Sequence, residues 1–327
     1  MVPKCYRELS RQVVKERERP QMLFPIGGNS AIAYQPSYEG CRHRMQILSV
    51  VSDGTVERTD IQVPLWGDTQ PYHVTIVPSE FGEVYVLVTR SESISGAGGA
   101  IVGTAYAWTS LWILALDTLV WRQVQYKEED LWPSGRVYPS CGVIDGRLIL
   151  VGGVSGEKIV PTETGGQRYI QTHASDCWTM DTETLQWERL SNLGLQSTPP
   201  GVPVAIRDTL YWIGNTEAVT YSTRCGFRTE QTYTSGRSMY CGPQWTPSDV
   251  IGMMQTNDDI GSITMSVFDT LSLFHTATMP IELQDDDSNY WLSDVCMVNP
   301  YIMLLLHNDA LVVAEIENDI MPIDKCL

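Results

Sequence analysis

The chain has 327 residues, of which 19% are charged, with 22 Lys+Arg against 39 Asp+Glu for a formal net charge of −17. Such an acidic balance speaks against a nucleic-acid or anionic-membrane binder, which needs clustered cations to release counterions. No apolar stretch approaches the roughly 20 residues of a membrane helix, and 26 Gly with 18 Pro point to many turns.

The N-terminal stretch alternates Arg and Glu and lacks the apolar core of a secretory signal. It reads as a short amphipathic helix or arm over residues 5–19, so residues 1–21 stand apart from a single domain over 22–327. The expected location is the cytoplasm, with the nucleus left open. The eight cysteines, Cys5, Cys41, Cys141, Cys177, Cys225, Cys241, Cys296 and Cys326, are spread along the chain without a C-x-x-C pair. Structural zinc wants clustered thiolates and imidazoles, so the thiols are expected to be free, small and largely buried.

The strands then follow in chain order. Gly27-Gly28 leads to a strand ending at Tyr34, and Met45 to Ile61 holds two more around Asp53-Gly54. His73–Val77 and Val84–Val88 flank a turn at Phe81-Gly82. The stretch from Leu111 to Val124 carries Trp112 and, nine residues later, Trp121. Residues 136–190 are the best-formed copy. Val143-Ile144 ends one strand, Asp145-Gly146 is a tight-turn dipeptide, Arg147 to Val151 is apolar, and Gly152-Gly153 bends the backbone. Cys177–Asp181, a Thr182–Thr184 turn and Leu185–Leu190 complete four strands, again with Trp187 nine residues after Trp178. Val202–Ile206, Arg207-Asp208 and Leu210–Ile213 with Gly214 begin a further copy. Turn positions 82, 145 and 208 recur at a spacing of 63 residues. Weaker copies lie at Asp249–Met254, Ser262–Phe268 and Ser272–His275, and at Asp294–Val298, Tyr301–Leu306 and Ala310–Ile316.

The Gly-Gly after an apolar strand, the Trp178-x-x-Asp181 step and the later Trp187 resemble the kelch motif. The copy at 73–124 keeps both tryptophans but has Val88-Thr89 in place of Gly-Gly. The copy after residue 200 keeps Gly214, and the last two keep only the strand rhythm. The resemblance implies an all-β fold, a six-bladed kelch-like β-propeller with four antiparallel strands per blade. Physically, a single four-stranded sheet cannot bury both faces, so repeats must stack. Ring closure would bring Cys5 near Cys326. The rival architectures are a pair of β-sandwiches or a propeller of another family.

Enzymes occur on this fold, and each chemistry leaves a trace. Copper radical oxidases resembling kelch propellers need paired His and Tyr ligands, whereas His43, His73, His173, His275 and His307 are scattered. Sialidases need an Arg triad, a Tyr nucleophile and Asp-box turns, and Ser52–Val56 is only a hairpin fragment of one. Specifier-type kelch proteins hold iron through an E-x-x-x-D-x-x-x-H run that this chain lacks. Asp285–Asp287 would suit a divalent cation but equally a solvated loop. Ser95–Ala100 lacks the lysine of a phosphate loop and reads as a mobile loop. No cofactor and no metal are therefore expected.

Two long polar stretches, 90–107 and 154–175, join second and third strands of adjacent repeats and read as loops on one face. Loops on a rigid scaffold carry function. Arg, Tyr and Trp are enriched in binding hot spots, so the candidate partner-binding residues are Tyr72, His73, Arg136, Tyr138, Arg168, Arg237, Tyr240 and Trp291. Each aromatic could instead pack between repeats. The function expected is a non-catalytic interaction module, an adaptor or complex subunit, whose partner is a basic protein rather than nucleic acid or membrane. The alternative is a propeller enzyme or carbohydrate-binding protein with a site in the central channel.

Overall fold

The computed structural model describes residues 6–13, 22–36, 43–64, 66, 72–79, 81–96, 99–124, 131–162, 166–190, 203–213, 217–231, 250–257, 262–269, 274–281, 292–298, 302–307 and 310–316. Among them every regular element longer than a single turn is a β-strand. Among the described residues no helix is long and apolar enough to cross a membrane.

Strand β1 is Tyr6–Val13. β2 (Met22–Gly27), β3 (Ser30–Gln35), β4 (Arg44–Val50) and β5 (Val56–Ile61) form a four-stranded meander. β6 (Tyr72–Pro78), β7 (Glu83–Ser95), β8 (Ile101–Ala115) and β9 (Val120–Val124) form the next, followed by β10 (Ser140–Ile144) and β11 (Arg147–Val151). β12 (Val154–Pro161) and β13 (Gln167–His173) intervene before β14 (Cys177–Asp181) and β15 (Trp187–Leu190), which complete the sheet β10-β11-β14-β15. β16 (Val204–Ile206), β17 (Thr209–Ile213), β18 (Glu217–Ser222) and β19 (Gly226–Gln231) form a further sheet, and β20 (Val250–Asn257), β21 (Ser262–Asp269) and β22 (Phe274–Ile281) a three-stranded one. β23 (Leu292–Met297), β24 (Ile302–His307) and β25 (Ala310–Ile316) take β1 as their fourth strand. All the pairings are antiparallel, so the fold is all-β and built mainly of four-stranded sheets.

The N-terminal helix or arm expected over residues 5–19 is, over Tyr6–Val13, a strand. Tyr6 stands opposite Ile316 and Val13 opposite Ala310. An isolated eight-residue helix is marginal in water, whereas the edge of β25 offers unpaired backbone groups that a short segment can satisfy. Cys5 and Cys326 lie outside the described residues, as does the acidic run at 285–287.

Where the sequence suggests one domain over 22–327, the chain divides into two compact units. One comprises residues 1–63, 200–220 and 229–327, the other residues 64–199 and 221–228. In the first, Leu23, Ala31, Ala33 and Leu48 of the β2–β5 sheet share a core with Cys296, Leu304, Leu306, Leu311 and Val313 of the β23–β25 sheet. In the second, Tyr85, Leu87, Leu111 and Ile113 pack on Val143, Leu148, Leu150, Trp178 and Met180. Alternation along each strand places these side chains on one face. Two sheets thereby cover each other, as a lone sheet cannot.

The described parts of the segments expected as long loops are largely strands. β7 and β8 run past their sheet together as far as Ser95 and Ile101. A register shift at Val88/Thr89 marks where they leave it, as bulges do at sheet margins. β12 pairs with the free side of β8, Gly156 opposite Ala105 and Lys158 opposite Gly103, and β13 pairs with β12. At the end of this ribbon the Gly96 N–H donates to Ala100 O at 2.8 Å. A Cβ on Gly103 would sit 2.5 Å from the Glu157 carbonyl. The glycines that look like loop signals are what lets these backbones approach.

Candidate functional site

The most informative residues lie in the second unit, where the segment 131–139 leads into β10. Its anchor is Arg136, fully buried at 0% exposure. Its Nε donates to Ser134 O at 2.9 Å. Its two terminal nitrogens donate to Gly152 O (3.0 Å), Ser134 Oγ (2.9 Å) and both oxygens of Asp176 (2.6 and 3.2 Å). The five N–H groups of a guanidinium thus find five bonds. The Trp178 indole donates to the same carboxylate at 2.6 Å, and Thr89 Oγ1 donates to Arg136 O at 2.9 Å. Burial alone would raise the Asp176 pKa. The bonds from Arg136 and Trp178, with the Arg136 charge, outweigh it and hold the carboxyl below its usual range. Arg136, expected on a binding rim, is a structural tie between segment 134–139 and the Gly152-Gly153 bend.

That bend shapes the next residues. Val137 and Val154 exchange backbone bonds of 2.9 and 2.8 Å. Gly153 has φ +98, and a Cβ there would lie 2.9 Å from Val137 O. Tyr138 is thereby forced out. It adopts φ +52, a left-handed conformation rare for a bulky residue, and is 66% exposed. His73, in β6, holds it there. The Tyr138 N–H donates to His73 Nε2 at 3.1 Å, and the two rings meet edge-to-face at 4.4 Å. An accepting Nε2 requires a neutral imidazole with its proton on Nδ1. Burial agrees, pushing the His73 pKa down to about 4.

Beside Tyr138 the ribbon contributes groups that the sequence reading missed. Burial raises the Tyr106 pKa, as do the neighbouring Glu157 carboxylate, Tyr138 and a hydrogen bond from its own hydroxyl to Glu157. Gln171 Nε2 also donates to Glu157, at 3.2 Å. Glu157 and Tyr106 come together only because β12 pairs with β8, a long-range pairing with no local signal. Asp176 could have been sought from the sequence as the acceptor of the adjacent Trp178 indole.

The remaining candidates are dispersed. Arg168 is exposed in β13, opposite Val160. Tyr72 opens β6, opposite Arg90. Arg237, Tyr240 and Trp291 lie outside the described residues. Among the described residues no group of three or more His, Cys, Asp and Glu is placed to hold a metal.

A separate cavity of about 600 Å³ lies in the first unit, along β3–β5, lined by His43, Arg44, Gln46, Arg58 and Asp60 among others. Gln46 Nε2 donates to Asp60 at 2.6 Å. Tyr34 OH and His43 Nδ1 are 2.8 Å apart with stacked rings, and burial lowers the His43 pKa.

No family model and no curated protein matches the chain. A solved structure described as YjhT is similar at a TM-score of 0.51 and 10% identity, covering 90% of this chain and 95% of that one. At that identity the likeness concerns the fold alone.

Proposed function

We propose that the chain is a six-bladed, kelch-like β-propeller acting as a non-catalytic interaction module, an adaptor or complex subunit, that binds a basic protein segment beside Tyr138. The carrying observation is Tyr138 itself, an exposed aromatic held at positive φ by the His73 bond. Backbone strain persists where the surroundings over-determine it, and it clusters at sites of function. Tyr106 interacts both with it and with the Glu157 carboxylate, an arrangement suited to a lysine or arginine through cation–π and charge attraction. A net charge of −17 would steer a basic partner towards the chain.

The propeller part is supported by six antiparallel sheets among the described residues, three of them simple meanders. The addition of β1 to the sheet of β23–β25 is how a propeller would join its two chain ends. The kelch part is supported by the left-handed backbone of Gly152 and Gly153 and the buried Trp178 and Trp187. Asp181 adds to it by accepting from the Thr184 N–H at 2.8 Å to close its turn. The rival reading, a channel enzyme or carbohydrate binder, gains nothing from the cavity beside His43, which lies along β3–β5 of one sheet and holds the Gln46–Asp60 bond.

The test is affinity capture from the native source with the wild-type chain and with Tyr138→Ala and Glu157→Gln baits, followed by reconstitution with the captured protein. The reading expects a stoichiometric basic partner whose binding weakens with salt and is lost with either substitution. A co-purifying sugar or metal, retained by both variants, would turn the argument to the channel.

A further inference from the structure

Strand β13 differs from the outer strands β5, β9 and β15. All seven of its side chains are exposed, including Tyr169 at 61% and Ile170 at 44%. Among the described residues it pairs only with β12, so its other edge presents unpaired N–H and C=O groups. Proteins blunt such edges with charges, prolines, bulges or short strands. The outer strand β5 carries Glu57, Arg58 and Asp60 in six residues, and β15 carries Glu188 and Arg189 in four. β13 is seven residues long, holds Arg168 as its one Lys, Arg, Asp or Glu residue, and has no proline.

Charge selects the occupant. The hairpin segment 154–173 holds Glu157, Glu163, Lys158 and Arg168 and is neutral, in a chain of net charge −17. A neutral edge gives a basic partner no advantage, but it is where two acidic copies can meet with least repulsion. The sequence Gln167–His173 is also compatible with itself in antiparallel register. Centred on Ile170, such pairing sets Ile170 against Ile170 of the second copy, Tyr169 against Gln171 and Arg168 against Thr172, with no Arg, Lys, Asp or Glu facing its like. We infer that β13 is a homodimerisation edge, at which two copies join their sheets by antiparallel β13–β13 pairing across a two-fold axis at Ile170.

Sedimentation of the full chain across the micromolar range tests this. The wild type should pass from monomer to dimer with rising concentration, more readily at high salt, because screening relieves repulsion between two acidic chains. Ile170→Lys and Ile170→Glu should each be monomeric, since each places like charges opposite one another. Mixed in equal amounts, they should dimerise again, the introduced ammonium facing the introduced carboxylate. Thr172→Glu, which faces Arg168 of the second copy twice per dimer, should tighten the dimer about fivefold. That gain guards against variants that merely misfold. A wild type monomeric throughout, or a dimer indifferent to both Ile170 substitutions, overturns the inference. So does an Ile170→Lys chain that keeps its mass behaviour but loses a captured partner, which would assign the edge to that partner.

Discussion

Breaking the Arg136–Asp176 pair should be among the most costly single changes in the second unit. Asp176→Ala would leave a guanidinium at 0% exposure with no counter-charge and two N–H groups unpaired, and would strip the Trp178 indole of its acceptor. Removing one partner of a buried pair costs roughly 3–5 kcal/mol. Asp176 is 18% exposed, so water can reach the vacated site and the lower end, about 3 kcal/mol, is expected. Arg136→Met should cost less, because the remaining carboxylate is partly solvated. The double substitution should cost less than the sum, since neither leaves the other's charge stranded. Urea unfolding followed by tryptophan fluorescence reads all three. Asp176 has its pKa lowered on folding, so its stabilisation is present above the ordinary carboxyl range and is lost as pH falls through the folded value. Asp176→Asn should remove that acid sensitivity. A cost for Asp176→Ala below about 1 kcal/mol, the size of a surface ion pair, would refute the reasoning and return Arg136 to the list of binding residues.

His73 titrates near 6.5 when unfolded and at about 4 when folded, so stability is full above the first value. It should fall by up to about 3 kcal/mol as pH drops from 6.5 towards 4; a urea midpoint as flat across this window as that of His73→Asn would contradict a neutral His73. Tyr138→Gly should leave stability unchanged or raise it by about 1 kcal/mol, by relieving a positive φ, while abolishing partner binding; retained binding would dismiss the site. Gly135→Ala should cost about 1–3 kcal/mol in thermal unfolding, because its Cβ would press on the Ala107 backbone; an unchanged midpoint would mean the segment has room to move. Burial pushes the Cys141 and Cys177 thiols up to about 12, whereas Cys225 is exposed. Peptide-resolved alkylation of the native chain should therefore label Cys225 before Cys141 and Cys177, and Cys177 labelled equally fast would show that its sheet opens readily.

The legible parts of this chain are those where local chemistry decides. Asp145-Gly146 has both residues at positive φ, and only a turn fits that dipeptide between two apolar runs. The paired strands 140–144 and 147–151 followed directly from it. The illegible parts are those decided by distant pairing. Residues 90–107 and 154–175 are rich in Gly, Ser and Thr, which is a loop signal read alone. Yet β8 lies between β7 and β12, and a stretch with partners on both sides becomes a strand whatever its intrinsic preference. The same holds for β1, whose partner β25 is at the far end of the sequence.

Arg136 and Tyr138 show why residue type alone misplaced the site. Both look like hot-spot residues, and they stand two apart, on opposite sides of Val137. The bridge between Val137 and Val154 fixes the backbone between them. Because residues two apart on an extended segment face the same side, the chain can bury one and expose the other only by turning between them. Arg136 goes inward, where Asp176 and the Gly152 carbonyl await it. Tyr138, two residues on, would follow it inward if the strand continued, but the turn to positive φ reverses it towards solvent. Turned outward, the tyrosine is held by the His73 bond and ring contact. A partner meeting Tyr138 would find a side chain whose ordering cost folding has already met.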